Sequence, residues 1–324
     1  MPDLNLPPIA TTLILSVIGF AILIKFADFF VDGAASIARN FKISTTVVGL
    51  TIVAFGTSAP ELAISFNSHI SGNTDMMLGN VVGSNIANIL FIFGLAIIIK
   101  PFNVSKDVSR KEMPILMLIT LGLAIVLSDS LLDLTKENTI TRNDGLMLIL
   151  LFSVFVYYLI TIIKNKENEI ESAPKYKVLM SMFMTLIGLA GIILGSTLVV
   201  DNVSEFATII GISQKIIAVT VVSIGTSLPE LVTTVAAARK GENGMAIGNI
   251  VGSNIFNTCI VLGLPIALLG EVTTKSFNII DVVFMVFAVV LLWIFVSGKR
   301  EIKRYEGAIL VATYFAYIIY IFIQ

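Results

Sequence analysis

Two glutamates stand inside apolar runs of this chain, and each keeps the same company. Gly56-Thr57-Ser58-Ala59-Pro60-Glu61-Leu62 returns, with one change, as Gly225-Thr226-Ser227-Leu228-Pro229-Glu230-Leu231. GNVVGSNIAN, from Gly79 to Asn88, returns as GNIVGSNIFN, from Gly248 to Asn257. Each copy lies 169 positions after its original, so residues 47–95 overlie 216–264 without a gap. A carboxylate inside a membrane is costly and marks an ion pathway by default. Here the cost is carried twice, in matched surroundings.

The neighbours of each glutamate are oxygen donors. Pro60 has no N–H for the carbonyl of Gly56, and Pro229 deprives Gly225 in the same way. At membrane depth such carbonyls are tolerated only where protein, water or an ion satisfies them. Thr57 and Ser58 precede Glu61 by four and three residues, so all three can share one helix face; Thr226, Ser227 and Glu230 repeat this. Ser84 with Asn88, and Ser253 with Asn257, are i, i+4 pairs on the next apolar run. The set offers carboxylate, hydroxyl, amide and carbonyl oxygens without imidazole or thiolate. That suits Ca²⁺, Na⁺, Mg²⁺ or Mn²⁺ and argues against zinc and copper. A flexible cage of kinked helices fits Ca²⁺ better than the strict octahedron of Mg²⁺. Two carboxylates balance one Ca²⁺ or two Na⁺, a basis for competition between them. Asn80, Asn85, Asn249 and Asn254 read instead as hydrogen-bonding groups between helices. The plainer account of the glutamates, as charges tying helices together, does not explain their matched hydroxyls.

These residues need a membrane scaffold. The chain of 324 residues is 56% hydrophobic and 13% charged, against roughly 25% charged in a soluble domain. Its apolar runs predict ten spans, at about 9–31, 46–69, 75–99, 113–132, 145–163, 178–200, 215–239, 244–269, 279–297 and 305–323. The fold class expected is an all-α integral membrane protein of ten transmembrane helices. Sixteen of the 21 Lys and Arg lie in loops after odd-numbered spans, and none at either terminus, which predicts both termini outside. No cleavable signal peptide is expected before the first run, and Cys259 lies within the eighth. Five spans is an odd number, so the second half enters from the opposite side: two inverted five-helix repeats. The first repeat covers 1–163 and the second 178–324, joined by a charge-rich cytoplasmic linker at 164–177. Asp32 and Asp201 also repeat at the same offset and read as caps or interfacial anchors.

GTSxPE followed by GNxxGSNxxN, present in both halves, resembles the α-repeats of the sodium/calcium exchanger family, within the cation/calcium antiporter superfamily. The resemblance is to the prokaryotic type, because no large regulatory insert is present. It implies a secondary active antiporter of the cell membrane in which Na⁺ entry drives Ca²⁺ extrusion by alternating access, with the first and sixth spans sliding across a central bundle. By the same resemblance, Glu61 and Glu230 are the shared carboxylates and the carbonyls of Thr57 and Thr226 complete the Ca²⁺ site. Ser58 and Ser84, with the carbonyl of Ala54, form one Na⁺ site. Ser227 and Ser253 form the opposite one, with a backbone ligand from Ser223. Asn88 and Asn257 face the centre. Some relatives carry aspartate where this chain has Asn257, so K⁺ co-transport is not expected here. Ca²⁺ and Na⁺ are cargo; no cofactor, nucleic acid or obligate protein partner is expected. The alternatives are an H⁺/Ca²⁺ (or other divalent cation) antiporter of the same plan and a passive cation channel. No nucleophile–base pair, phosphate loop or cofactor motif supports an enzyme.

Overall fold

The computed structural model describes residues 8–128, 138–164, 173–212, 223–274, 278–297 and 301–323. The longest helices are α1 (Pro8–Phe41) and, far along the chain, α7 (Val178–Ile209). Both run past the ends of their apolar runs. In α1 the extension is held by Ala34, Ala35 and Ala38, all buried, until the chain turns at Lys42 with φ of 55°. The two helices lie backbone to backbone, and a Cβ on Gly188 would stand 2.6 Å from the main-chain nitrogen of Phe30. Without a hydrophobic drive between helices in lipid, such close approach is what holds a pair together.

Between them come α2 (Thr45–Thr57), α3 (Ala59–Ile70), α4 (Thr74–Ile99), α5 (Met113–Val126) and α6 (Arg142–Lys164). After α7 follow α8 (Ser223–Thr226), α9 (Leu228–Lys240), α10 (Asn243–Leu269), α11 (Ile279–Val296) and α12 (Arg304–Ile323). Six of these, α1, α4, α6, α7, α10 and α11, are long and apolar enough to cross a membrane, and α2 with α3 makes a seventh, bent by 45°. Three expected spans look different. The run at 113–132 gives α5, which continues without a break from the π-helical stretch Val108–Glu112, so the helix starts among Arg110, Lys111 and Glu112, and the end of the run lies outside the described residues. The run at 215–239 begins outside the described residues and continues as α8 and α9. Helix α12 carries Arg304 and Glu306 in its first turn, which shortens its apolar part.

Two short antiparallel ribbons tie the halves together. Strand β1 (Phe102–Asn103) pairs with β4 (Glu301–Ile302), and β2 (Asn138–Ile140) pairs with β3 (Val272–Thr274). Asp32 is not a cap. It accepts from Lys240 at 2.7 Å and Lys175 at 2.8 Å, while Arg39 pairs with Glu242 nearby in the same chain segment. These pairs are partly exposed, so each contributes at most about 1 kcal/mol. Asp32→Asn is therefore expected to lower the heat stability of the purified protein only slightly. The difference should vanish in high choline chloride, which screens without supplying a transported ion.

Candidate cation site

Each glutamate sits just after a helix break. Helix α2 starts on Ser44, whose hydroxyl accepts from Val47, and stops at Ser58, with φ of −87° and ψ of 7°. Helix α3 begins at once, with Pro60 and Glu61 in its first turn. Ser227 stops α8 in nearly the same geometry, φ −90° and ψ 5°, and Pro229 and Glu230 open α9. The prolines thus start new helices instead of kinking continuous ones. At a first turn the missing N–H costs nothing, and the helix dipole favours a carboxylate. Because of the break, Ser58 and Glu61 do not share one continuous helix face as their spacing predicted. Ser58 reaches across to the other half and donates to Glu230 Oε1 at 3.0 Å. The carbonyl of Gly225, freed by Pro229, is met by the Ser196 hydroxyl at 3.0 Å.

Glu61 and Glu230 are each 0% exposed and within electrostatic reach of one another. Among the described residues, neither oxygen of Glu61 has a hydrogen-bond partner, and Glu230 Oε2 also has none. Both side-chain polar atoms of Asn88 and of Asn257, and the hydroxyls of Ser227 and Ser253, are likewise buried without a partner. Buried polar atoms are almost always paired, and leaving one unpaired costs about 1–3 kcal/mol. Nine such atoms belong to six of the residues singled out by the repeat. Ser84 is buried with them. A polar cluster that the fold leaves unsatisfied, built of carboxylate, amide and hydroxyl oxygen, is suited to a cation as cargo. No group of three or more His, Cys, Asp or Glu occurs among the described residues, so any cation here would rely on two carboxylates and neutral oxygens.

Other predicted residues have different duties. The Thr57 hydroxyl donates within its own helix to Val53 at 3.1 Å and lies 3.3 Å from Asn249 Oδ1, leaving its carbonyl as the group to consider for an ion. The Ala54 carbonyl already accepts from the Ser58 N–H at 3.0 Å, and the Thr57 hydroxyl lies 3.3 Å from it. Thr226 is half-buried, and Ser223 opens α8. A π-helical stretch follows the motif in both copies, at Ala87–Phe93 and Asn257–Leu262, and Asn88 and Asn257 both belong to it. Such stretches concentrate at functional sites.

Asn85 donates to Thr258 at 3.0 Å across helices, as expected, but Asn254 turns back to Ile250 of its own helix. Asn249 and Asn80 matter more than their sequence reading implied. Asn249 donates to Thr234 at 2.9 Å, and Asn80 to the Glu61 carbonyl at 3.2 Å. The hydroxyls of Ser65 and Thr234, also 169 residues apart, were a signal for this outer layer.

The two copies are packed differently. A Cβ on Gly248 would stand 2.5 Å from the Thr46 carbonyl, whereas nothing comes within 4 Å of one on Gly79 among the described residues. One copy of the motif is sealed against α2; at the other, Gly79 is exposed, and the segment that matches this part of α2, within 213–222, lies outside the described residues.

Comparison with known proteins gives the family. The sodium/calcium exchanger protein family matches residues 11–161 and 180–323. The inner membrane protein YrbG of Escherichia coli (strain K12) is 35% identical over 296 residues, covering 86% of this chain and 88% of that protein. The sodium/calcium exchanger MaX1 of Methanosarcina acetivorans is 30% identical over 349 residues, covering 97% and 99%. Among solved structures, the sodium-calcium exchanger NCX_Mj, soaked with 10 mM Na⁺ and zero Ca²⁺, superposes with a TM-score of 0.82 at 31% identity, covering 96% of this chain and 98% of that one. The chain belongs to the sodium/calcium exchanger family: it is a multi-pass membrane antiporter of Ca²⁺ and a second cation, not an enzyme.

Proposed function

We propose that the second cation is Na⁺, and that Na⁺ influx drives Ca²⁺ out through a midplane site built around Glu61 and Glu230. The observation that carries this is the pair of fully buried glutamates, one from each half, with three of their four oxygens unpartnered among the described residues. The hydroxyls of Ser58, Ser84, Ser227 and Ser253, and the carbonyls of Thr57, Thr226, Ala54 and Ser223, are the neutral ligands in this reading. Asn88 and Asn257 face the centre. Two carboxylates neutralise either one Ca²⁺ or two Na⁺, so the same charge cannot hold both loads at once.

The scaffold in this proposal is ten spans in two inverted repeats, 1–163 and 178–324, joined by a cytoplasmic linker at 164–177, with both termini outside. The ribbons support it. Strand β1 follows the third span and β4 precedes the tenth; the repeat exchanges them for β3 and β2, which pair in the same sense. A two-fold axis in the membrane plane would produce such a pattern. The sealed Gly248 and open Gly79 suit alternating access, in which only one route is open at a time.

The test is Ca²⁺ uptake into Na⁺-loaded proteoliposomes with pH clamped on both sides. Uptake is expected to require internal Na⁺. Uptake that follows a proton gradient without Na⁺ would transfer the reading to H⁺/Ca²⁺ antiport. Uptake that needs neither counter-ion would point to a channel.

A further inference from the structure

Asn80 and Asn249 occupy the same place in the repeated motif and yet bond to different partners. Asn249, fully buried on α10, donates to the Thr234 hydroxyl at 2.9 Å and lies 3.3 Å from the Thr57 hydroxyl. It ties α10 to α9 and α2. Asn80, half-buried on α4, donates instead to the main-chain carbonyl of Glu61 at 3.2 Å. In the other copy, the positions matching Thr234 and Thr57 are Ser65 and Thr226. Ser65 is fully buried and its hydroxyl has no partner among the described residues. A buried hydroxyl left unpaired is costly; here its twin 169 residues on is engaged.

We propose that Asn80 and Asn249 are positioning residues that trade partners between the two access states. Each bonds its hydroxyl pair, Ser65 with Thr226 or Thr234 with Thr57, when its side is sealed. Each bonds the main-chain carbonyl of its own half's glutamate, Glu61 or Glu230, when its side is open. The bond that opens a route is thus made to the residue that carries the ion-binding carboxylate, which couples access to the site. The proposal rests on the inverted-repeat reading above. It also gives an otherwise unexplained hydroxyl, that of Ser65, a partner in the opposite state.

The packing supplies reporters. Met76 is 46% exposed, whereas Met245, its twin in the second copy, is 0% exposed. Single cysteines at these positions, in a Cys259→Ala background, would be labelled with a maleimide in detergent, in saturating Na⁺ and in saturating Ca²⁺. In the present arrangement Met76→Cys labels quickly and Met245→Cys slowly, and the opposite state reverses them. Thr234→Val removes a bond made only in the present state. It is expected to speed labelling at Met245→Cys by about fivefold and slow it at Met76→Cys, while Thr234→Ser leaves both unchanged. Ser65→Ala removes a bond made only in the opposite state and shifts both rates the other way. In an Asn249→Ala background, Thr234→Val should have no further effect, because both act through one bond.

If Ser65→Ala and Thr234→Val leave the reciprocal labelling unmoved, the asparagines are plain ties and the proposal is overturned. That result would leave the inverted-repeat reading standing. If the two cysteines never label reciprocally, in any ion or variant, both the repeat reading and this proposal fail. The Ser65→Ala arm keeps the test decisive should Thr234→Val fail to fold, since that hydroxyl has no partner to lose here.

Discussion

Proteoliposomes carrying Glu61→Gln are expected to lose Na⁺-dependent Ca²⁺ uptake by about a hundredfold or more, with normal yield and helix content. Glu61 does little for the fold. It is 0% exposed and neither oxygen bonds a protein group among the described residues. Holding a carboxylate there is a cost to folding, so a neutral isostere should leave heat stability in the absence of ions unchanged or higher. Transport should respond differently. With one carboxylate of two removed, a divalent cation keeps only half its countercharge in a site with few other strong ligands. Breaking a buried charge set by removing one member costs about 3–5 kcal/mol, or roughly two to four orders of magnitude in affinity. Glu230→Gln should behave alike, and its amide oxygen can still accept from Ser58. Near-normal uptake by either variant would mean that the site lies elsewhere in the chain.

The residues behind that prediction were legible in the sequence because they are written twice. Glu61, Glu230 and their Thr-Ser-Pro neighbours stand out as polar groups in apolar runs, and duplication removes the chance that one of them is incidental. What the spacing could not give is the break at Ser58. An i, i+3, i+4 pattern assumes a continuous helix, and proline two residues on is compatible with either a kink or a fresh start. The pairing of Ser58 with Glu230 depends on how the halves come together, which no local pattern encodes. Helix ends depart from the apolar runs for a related reason. Hydropathy reports which residues meet lipid, whereas the α-helical bond is indifferent to it, so α1 continues through Ala34, Ala35 and Ala38 to Phe41 by packing against protein. The different bonds of Asn80 and Asn249 were illegible in principle. Two identical motifs in one chain predict identical surroundings, and a single conformation of an inverted pair need not supply them.

Gly248→Val is expected to destabilise the purified protein by about 1–3 kcal/mol, while Gly79→Val at the twin position leaves its heat stability unchanged. The difference lies in what the new side chain meets. On Gly248 a Cβ would stand 2.5 Å from the Thr46 carbonyl, 3.0 Å from the Leu50 nitrogen and 3.1 Å from the Gly49 Cα, all of them backbone atoms that cannot rotate aside. Gly252 meets the same seam, 2.8 Å from the Leu50 Cα, so α10 has no slack along α2. On Gly79 a Cβ meets nothing within 4 Å among the described residues. Transport should not share this difference. If the two copies exchange surroundings during the cycle, Gly79 must at some point take the tight packing that Gly248 has now. Gly79→Val would then melt like the parent and yet slow Na⁺-driven Ca²⁺ uptake by tenfold or more, because the clash of about 1–3 kcal/mol appears only in the state it blocks. Equal melting losses at both glycines would show that the halves are packed alike, and full activity of Gly79→Val would show that its side never closes as the other does.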